Sequence, residues 1–167
     1  MTSMVSDERE HFQKLLEQFQ IAMLVTHTTD GHLRARPMTL ANVEANGRLW
    51  FITDSETAKA HEIEHESDVL VVCQNDRAVY LSLQGRARLV QDRPKIQELW
   101  QEPFRVWFPK GKDDPHLALI QVEPIEGEYW DNQGLKKVRY MLEAVKAYAT
   151  GTTPAVHEGE QHGRLQF

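Results

Sequence analysis

The stretch Ile21-Ala22-Met23-Leu24-Val25-Thr26-His27-Thr28-Thr29-Asp30-Gly31-His32-Leu33-Arg34-Ala35-Arg36-Pro37-Met38-Thr39-Leu40-Ala41-Asn42-Val43 decides the fold class. An apolar run from Ile21 to Val25 leads through threonines to Asp30-Gly31, a pair that accepts the backbone conformations of a tight antiparallel turn. Two antiparallel strands follow, the second from His32 to Val43. Pro37 has no amide donor, so within that strand it belongs on a sheet edge, at a bulge or beside a ligand.

Working outward, Asn46-Gly47 marks another turn, and Leu49, Trp50, Phe51 and Ile52 form a third strand that ends in Thr53, Asp54 and Ser55. A short helix is expected from about Thr57 to Glu66, then a buried strand from Val69 to Gln74. Asn75-Asp76 turns into a long strand, Ala78 to Val90, where Gly85 suggests the bulge that a closing barrel uses. Leu117 to Val122 returns to strand pattern, with Glu128 to Asp131 extending or following it. Five or six short strands with hairpin turns and few helices predict a mainly β chain, an antiparallel barrel with peripheral helices.

The helices are read from apolar spacing. Phe12, Leu15, Leu16 and Phe19 make one face after a cap at Ser6, Asp7 and Glu8. Asp92 and Pro94 start a second, with Ile96, Leu99 and Trp100 as its apolar side. Leu135 to Tyr148 is amphipathic, with a basic side at Lys136, Lys137 and Arg139. Gln101 to His116 is a loop too long to be a mere connector. Residues 1–149 are expected to form a single domain, and 150–167 a flexible tail.

Composition agrees with one ordinary core. The 167 residues are 41% hydrophobic, and 19 Lys plus Arg against 25 Asp plus Glu leave a net charge of −6. This acidity argues against a nucleic-acid partner, although one small anion can still be held locally. No apolar run approaches the roughly 18 residues of a membrane helix, and the acidic start is unlike a signal peptide, so no membrane partner and a cytoplasmic location are expected. The sole cysteine, Cys73, lies in the apolar run Val69 to Val72 and reads as a buried thiol in a reducing compartment.

Four constellations could carry chemistry. His61-Glu62-Ile63-Glu64-His65 matches the H-E-x-x-H pattern of zinc hydrolases, but no third ligand is placed by spacing. With Glu64 and Glu66 alongside, a solvated acidic helix is the preferred reading, and no metal is expected. Thr53, Thr57 and Lys59 stand where a strand hands over to a helix, which suits either capping or a phosphate monoester. Arg34 and Arg36 share one strand face beside Pro37, as solvated charges or as an anion contact. Trp107, Phe108, Pro109 and Lys110 could stack on a planar ligand or cover a core edge.

Taken in order, Arg34-Ala35-Arg36-Pro37-Met38, Leu49-Trp50-Phe51-Ile52-Thr53-Asp54 and Thr57-Ala58-Lys59 resemble the flavin-binding split-barrel superfamily typified by pyridoxamine 5′-phosphate oxidase. Leu83-Gln84-Gly85-Arg86-Ala87-Arg88, Glu98-Leu99-Trp100, the run from Val106 to Pro115 and Glu128-Tyr129-Trp130-Asp131 look like its bacterial general stress protein branch. The resemblance implies a six-stranded antiparallel split β-barrel that forms a homodimer, with one FMN, or FAD in its place, in each of two clefts at the subunit interface. It implies that Arg36, Pro37, Met38 and Thr39 line the flavin, that Ile52 and Thr53 continue the wall, and that Thr57 and Lys59 hold the phosphate. Tyr80, Ser82 and Trp107 would close the cleft from the partner subunit.

No catalytic acid or base is assigned by the resemblance. The oxidase's C-terminal arginine and histidine segment, which grips its substrate, is not located here. The basic residue that follows its flavin-binding arginine has no counterpart near Asn42. The leading expectation is therefore a flavin-dependent oxidoreductase of the stress response, taking electrons from a nicotinamide or another small donor. The alternatives are a non-catalytic flavin store or sensor, and a pyridoxamine or pyridoxine 5′-phosphate oxidase.

Overall fold

The computed structural model describes residues 2–131, 135–152 and 162–167. In chain order the elements are α1 (Thr2–Leu16), β1 (Ile21–His27), β2 (Leu33–Val43), β3 (Leu49–Asp54), α2 (Ala58–His65), β4 (Asp68–Gln74) and β5 (Val79–Val90). There follow α3 (Arg93–Leu99), β6 (Leu117–Asp131), α4 (Leu135–Thr150) and β7 (His162–Gln166). The strands run β3-β2-β1-β4-β5-β6, and β6 pairs back onto β3, so six antiparallel strands close a barrel. The fold is mainly β with peripheral helices, as the sequence predicts, and β7 adds a seventh strand outside β6.

Three hairpins share one loop geometry. Thr28 donates its amide to the carbonyl of His32, Glu44 to Arg48 and Asn75 to Val79, so each loop holds three residues rather than two. The last residue of each loop is left-handed: Gly31 at φ 85°, Gly47 at φ 86° and Ala78 at φ 59°. A three-residue loop with a left-handed third position matches the right-handed twist of the flanking strands.

Long strands make the closure. β6 is continuous from Leu117 to Asp131; its first half pairs with β3 and its second half with β7, while β5 runs along most of it. The β5–β6 register shifts between Gln84 and Gly85. A Cβ at Gly85 would lie 2.5 Å from the carbonyl oxygen of Glu123, so only glycine allows this approach.

β4 shows strict alternation, with Val69, Val71 and Cys73 inward. They join Leu24, Phe51, Leu81, Leu83, Ile120, Val122 and Tyr129 in the barrel core, over which Phe12, Leu15, Leu16 and Phe19 lay the apolar face of the first helix. Burial pushes the Cys73 thiol up to about 12, so it is an inert thiol at neutral pH. A second cluster outside the barrel gathers Trp50, Ile52, Ile96, Leu99, Phe104 and Phe108. It seats the long loop, which folds into short 3-10 turns at Glu102–Val106 and Gly111–Asp113.

Two sequence expectations shift. α1 begins at Thr2, so Ser6, Asp7 and Glu8 lie within it rather than at its cap. The expected flexible tail from residue 150 contains β7, where Leu165 is buried and Tyr129 packs where Gly163 leaves room for its ring. Residues 153–161 of that tail, and the side chains of Lys136, Lys137 and Arg139 on α4, lie outside those described.

One outer face of the barrel is apolar and exposed. Ile21 and Met23 on β1, Leu70 and Val72 on β4, Tyr80 on β5 and Trp130 on β6 all face solvent. They are neighbours across the sheet: Met23 stands opposite Val72, and Tyr80 opposite Trp130.

Candidate functional site

β2 pairs with β1 from Leu33 to Thr39 and with β3 only from Leu40 to Val43. Before Leu40 its second edge therefore carries no strand, and Pro37 occupies this free edge, where a missing amide donor costs no ladder bond. A cleft of about 450 Å³ opens there, within the size range of small-molecule sites.

Eight of the eleven site residues expected from sequence line this cleft: Pro37, Met38, Thr39, Ile52, Thr53, Thr57, Lys59 and Trp107. Ile21, Asp54 and Phe108 complete it; Phe108 comes from the aromatic loop run read as a ligand platform or core cover, whereas Ile21 and Asp54 were not anticipated. The signals of those two were present but indirect: Ile21 stands opposite Thr39, and Asp54 follows Thr53.

The cleft has two chemically distinct ends. Ile21, Pro37, Met38, Ile52, Trp107 and Phe108 supply apolar surface. Thr53, Asp54, Thr57 and Lys59 gather where β3 hands over to α2. That turn is tightly made: the Asp54 carboxylate accepts the amide of Glu56 at 2.7 Å, and Thr57 Oγ1 donates to the Asp54 carbonyl at 2.8 Å. Thr57 is thus the N-cap residue by position, yet no side chain caps the first turn of α2. Uncapped first-turn amides are anion donors.

Lys59 lies on that first turn, and among the described residues no hydrogen bond or ion pair holds its ammonium. Burial, reinforced by the nearby Arg36 charge, lowers Lys59 below its ordinary value, with Asp54 and Glu62 opposing the shift. A partly desolvated cation beside open amides favours an incoming anion.

Three expected residues, Arg36, Tyr80 and Ser82, do not line this cleft, and a fourth, Trp107, lines it from its own chain. Arg36 does not line the cleft: its guanidinium donates to Glu62 at 2.7 and 3.3 Å and to Thr26 Oγ1 at 3.1 Å. Arg34 and Arg36 both turn to α2, where the buried Glu62 carboxylate holds their guanidinium groups. Tyr80 and Ser82 lie on β5 in the exposed sheet face, away from this cleft. Trp107 was expected from a partner subunit, but it lines the cleft of its own chain. Phe104 and Phe108, buried beside it, bring it there, while Trp107 itself stays 65% exposed.

The H-E-x-x-H segment forms α2, but its glutamate is not solvated as spacing suggests. His61 and His65 are exposed, whereas Glu62 is 4% exposed and turned against the barrel. Among the described residues no cluster of three or more His, Cys, Asp or Glu could hold a metal ion.

Burial alone would raise the Glu62 carboxyl. Hydrogen bonds from Arg36 and Thr26, and the charges of Arg36 and Arg34, outweigh burial and hold it below the usual carboxylate range.

The family described as "Pyridoxamine 5'-phosphate oxidase like" matches residues 7–155. General stress protein 26 of Bacillus subtilis (strain 168) is 32% identical over 122 residues, which is 71% of this chain and 84% of that protein. A structure assigned to general stress protein 26 from Jannaschia sp. CCS1 is 27% identical, with a TM-score of 0.73 over 96% of this chain and 99% of that one. The general stress FMN/FAD binding protein from Xanthomonas citri is 26% identical, with a TM-score of 0.65 over 80% of this chain and 92% of that one.

Proposed function

The chain belongs to the pyridoxamine 5′-phosphate oxidase-like family, and on that footing we propose that it binds FMN in the cleft between β2, β3 and the start of α2. One observation carries the reading. An apolar wall, and a lysine unpaired among the described residues beside uncapped helix amides, stand at the two ends of one cleft, which suits a flat ring joined to a phosphate. FAD is the alternative, and the mass of the bound ligand separates the two.

A bound flavin supplies redox chemistry at its ring. The chain's part is to bind, orient and exclude water. Lys59, Thr57 and the first amides of α2 hold the phosphate. Pro37, Met38 and Ile52 form a wall for the ring, and Phe108 with Trp107 limits water at the loop side. The titratable side chains that line the cleft, Asp54 and Lys59, both belong to the phosphate end.

We read the protein as an oxidoreductase, with a nicotinamide or another small molecule as donor, and as part of a stress response, as the name of its Bacillus relative suggests. The rival is a flavin store or sensor without turnover. Reduction of the flavin-loaded protein by NADH or NADPH separates them: reduction faster than that of free FMN supports the enzyme, and reduction at the free rate removes it for those donors. The buried free thiol of Cys73 accords with a reducing compartment such as the cytoplasm.

A homodimer is part of the same proposal. The exposed apolar face of β1, β4, β5 and β6 borders the cleft through Ile21, and such faces on soluble proteins are characteristic of interfaces. A second copy seated there would also bring Tyr80 and Ser82 toward its neighbour's cleft. Sedimentation of the wild type as a dimer and of Val72→Glu as a monomer is expected; a monomeric wild type with flavin bound contradicts the dimer.

A further inference from the structure

α2 has little to hold it in place. It is eight residues long, and its buried residues are Ala60, Glu62 and Ile63, so isoleucine is its one sizeable apolar anchor. A helix this short depends on tertiary contacts. Its polar tether is Glu62, which accepts from Thr26 Oγ1 at 2.6 Å on β1, from Arg36 at 2.7 Å on β2 and from Arg34 at 3.2 Å on β2. A carboxylate this deeply buried is tolerated because Thr26, Arg34 and Arg36 all donate to it.

The tether joins the two ends of the cleft. One turn before Glu62, the same helix carries Lys59 and follows the N-cap position Thr57; next to Arg36, the same strand carries Pro37, Met38 and Thr39. A change in how Glu62 sits moves the phosphate end relative to the ring wall.

We infer that Glu62 is a positioning residue for the phosphate end of the cleft, locking the first turn of α2 to β1 and β2 through Thr26, Arg36 and Arg34. This rests on the flavin reading above. It gives the glutamate of the H-E-x-x-H segment a task that needs neither histidine nor metal.

Two simpler roles make different predictions. As a mere counter-charge, Glu62 would weaken the attraction for phosphate, and its neutralisation would tighten FMN. As a mere fold-stabilising group, its loss would weaken FMN and riboflavin by the same factor.

The experiment measures FMN and riboflavin affinity of the full chain as wild type and as Glu62→Gln, which keeps the shape and removes the charge. FMN is expected to weaken about tenfold, the scale of a lost charge-assisted contact, with riboflavin within about twofold.

The pH profile supplies a second readout. Lys59 is faced by Arg36 from β2, Asp54 from β3 and Glu62 on its own helix. Without the Glu62 charge its ammonium loses support, so the alkaline fall in FMN affinity moves to lower pH. Equal weakening of both flavins with an unmoved alkaline limb overturns the inference, as does unchanged or tighter FMN.

If Glu62→Gln does not fold, Thr26→Val tests the same lock with all charges in place. FMN weakening about threefold with riboflavin unchanged supports it, in line with one lost hydrogen bond, and an equal shift of both overturns it. A wild type that binds neither flavin overturns the flavin reading and this inference with it. A wild type that binds FMN while both variants match it overturns this inference alone.

Discussion

The guanidinium of Arg36 meets the carboxylate of Glu62 at 2.7 Å, and this pair fastens α2 to the barrel from within. Both partners are largely out of water, with side chains 19% and 5% exposed. Removing one partner of such a pair leaves the other as an uncompensated buried charge.

Glu62→Ala is therefore expected to destabilise the fold by about 3–5 kcal/mol near pH 7, measured by urea unfolding. The effect depends on pH in a defined direction. Arg36, Thr26 and Arg34 outweigh burial and hold the folded-state carboxyl below its unfolded value of about 4.3. Its contribution is complete above that value and is lost as pH falls through the lower folded-state value. The gap between wild type and variant should narrow in acid. A gap that stays constant down to pH values where the wild type unfolds contradicts this assignment.

Lys59→Ala is expected to weaken FMN by about 1.5–3 kcal/mol, the worth of a charge-assisted contact, with riboflavin little affected. In the wild type the ammonium is the form that binds phosphate. Burial and Arg36 lower its titration, so FMN affinity is expected to hold at neutral pH and to fall as pH rises, starting below the ordinary lysine value of about 10.4. Titration calorimetry across the alkaline range checks both statements. Equal affinities for wild type and variant would place the phosphate elsewhere.

Ala78 closes the β4–β5 hairpin at φ 59°, the position that Gly31 and Gly47 fill in the other two loops. A side chain in this conformation costs roughly 1–2 kcal/mol, offset in part by the extra freedom glycine gains when unfolded. Ala78→Gly should raise stability by about 0.5–1 kcal/mol and increase the melting temperature. A lower melting temperature contradicts the strain.

These residues also show what the sequence could and could not convey. Asp30-Gly31 and Asn46-Gly47 revealed two hairpins because glycine in a left-handed turn position leaves a local mark. The third loop was found only from Asn75-Asp76, since Ala78 hides its geometry. Gly85 and Pro37 announced the bulge and the open edge for equally local reasons: one lacks a side chain, the other a donor.

The strand-to-helix turn with Thr53, Thr57 and Lys59 was legible because its residues are close in sequence and share one end of the cleft. The pairing of Arg36 with Glu62 was not legible because the two are far apart along the chain, and only the packing of α2 on β1 and β2 brings them together. β7 escaped notice for the same reason. Its buried Leu165 and the close fit of Gly163 to the Tyr129 ring are set by pairing with β6, and the short segment itself carries little apolar signal.

The most direct test of the flavin-binding account is the absorption spectrum and mass of the ligand carried by the purified protein, followed by titration of stripped protein with FMN and FAD. The account predicts a flavin spectrum, the mass of FMN, and saturation at one FMN per chain. Protein that carries no flavin and takes up neither FMN nor FAD on titration would contradict it.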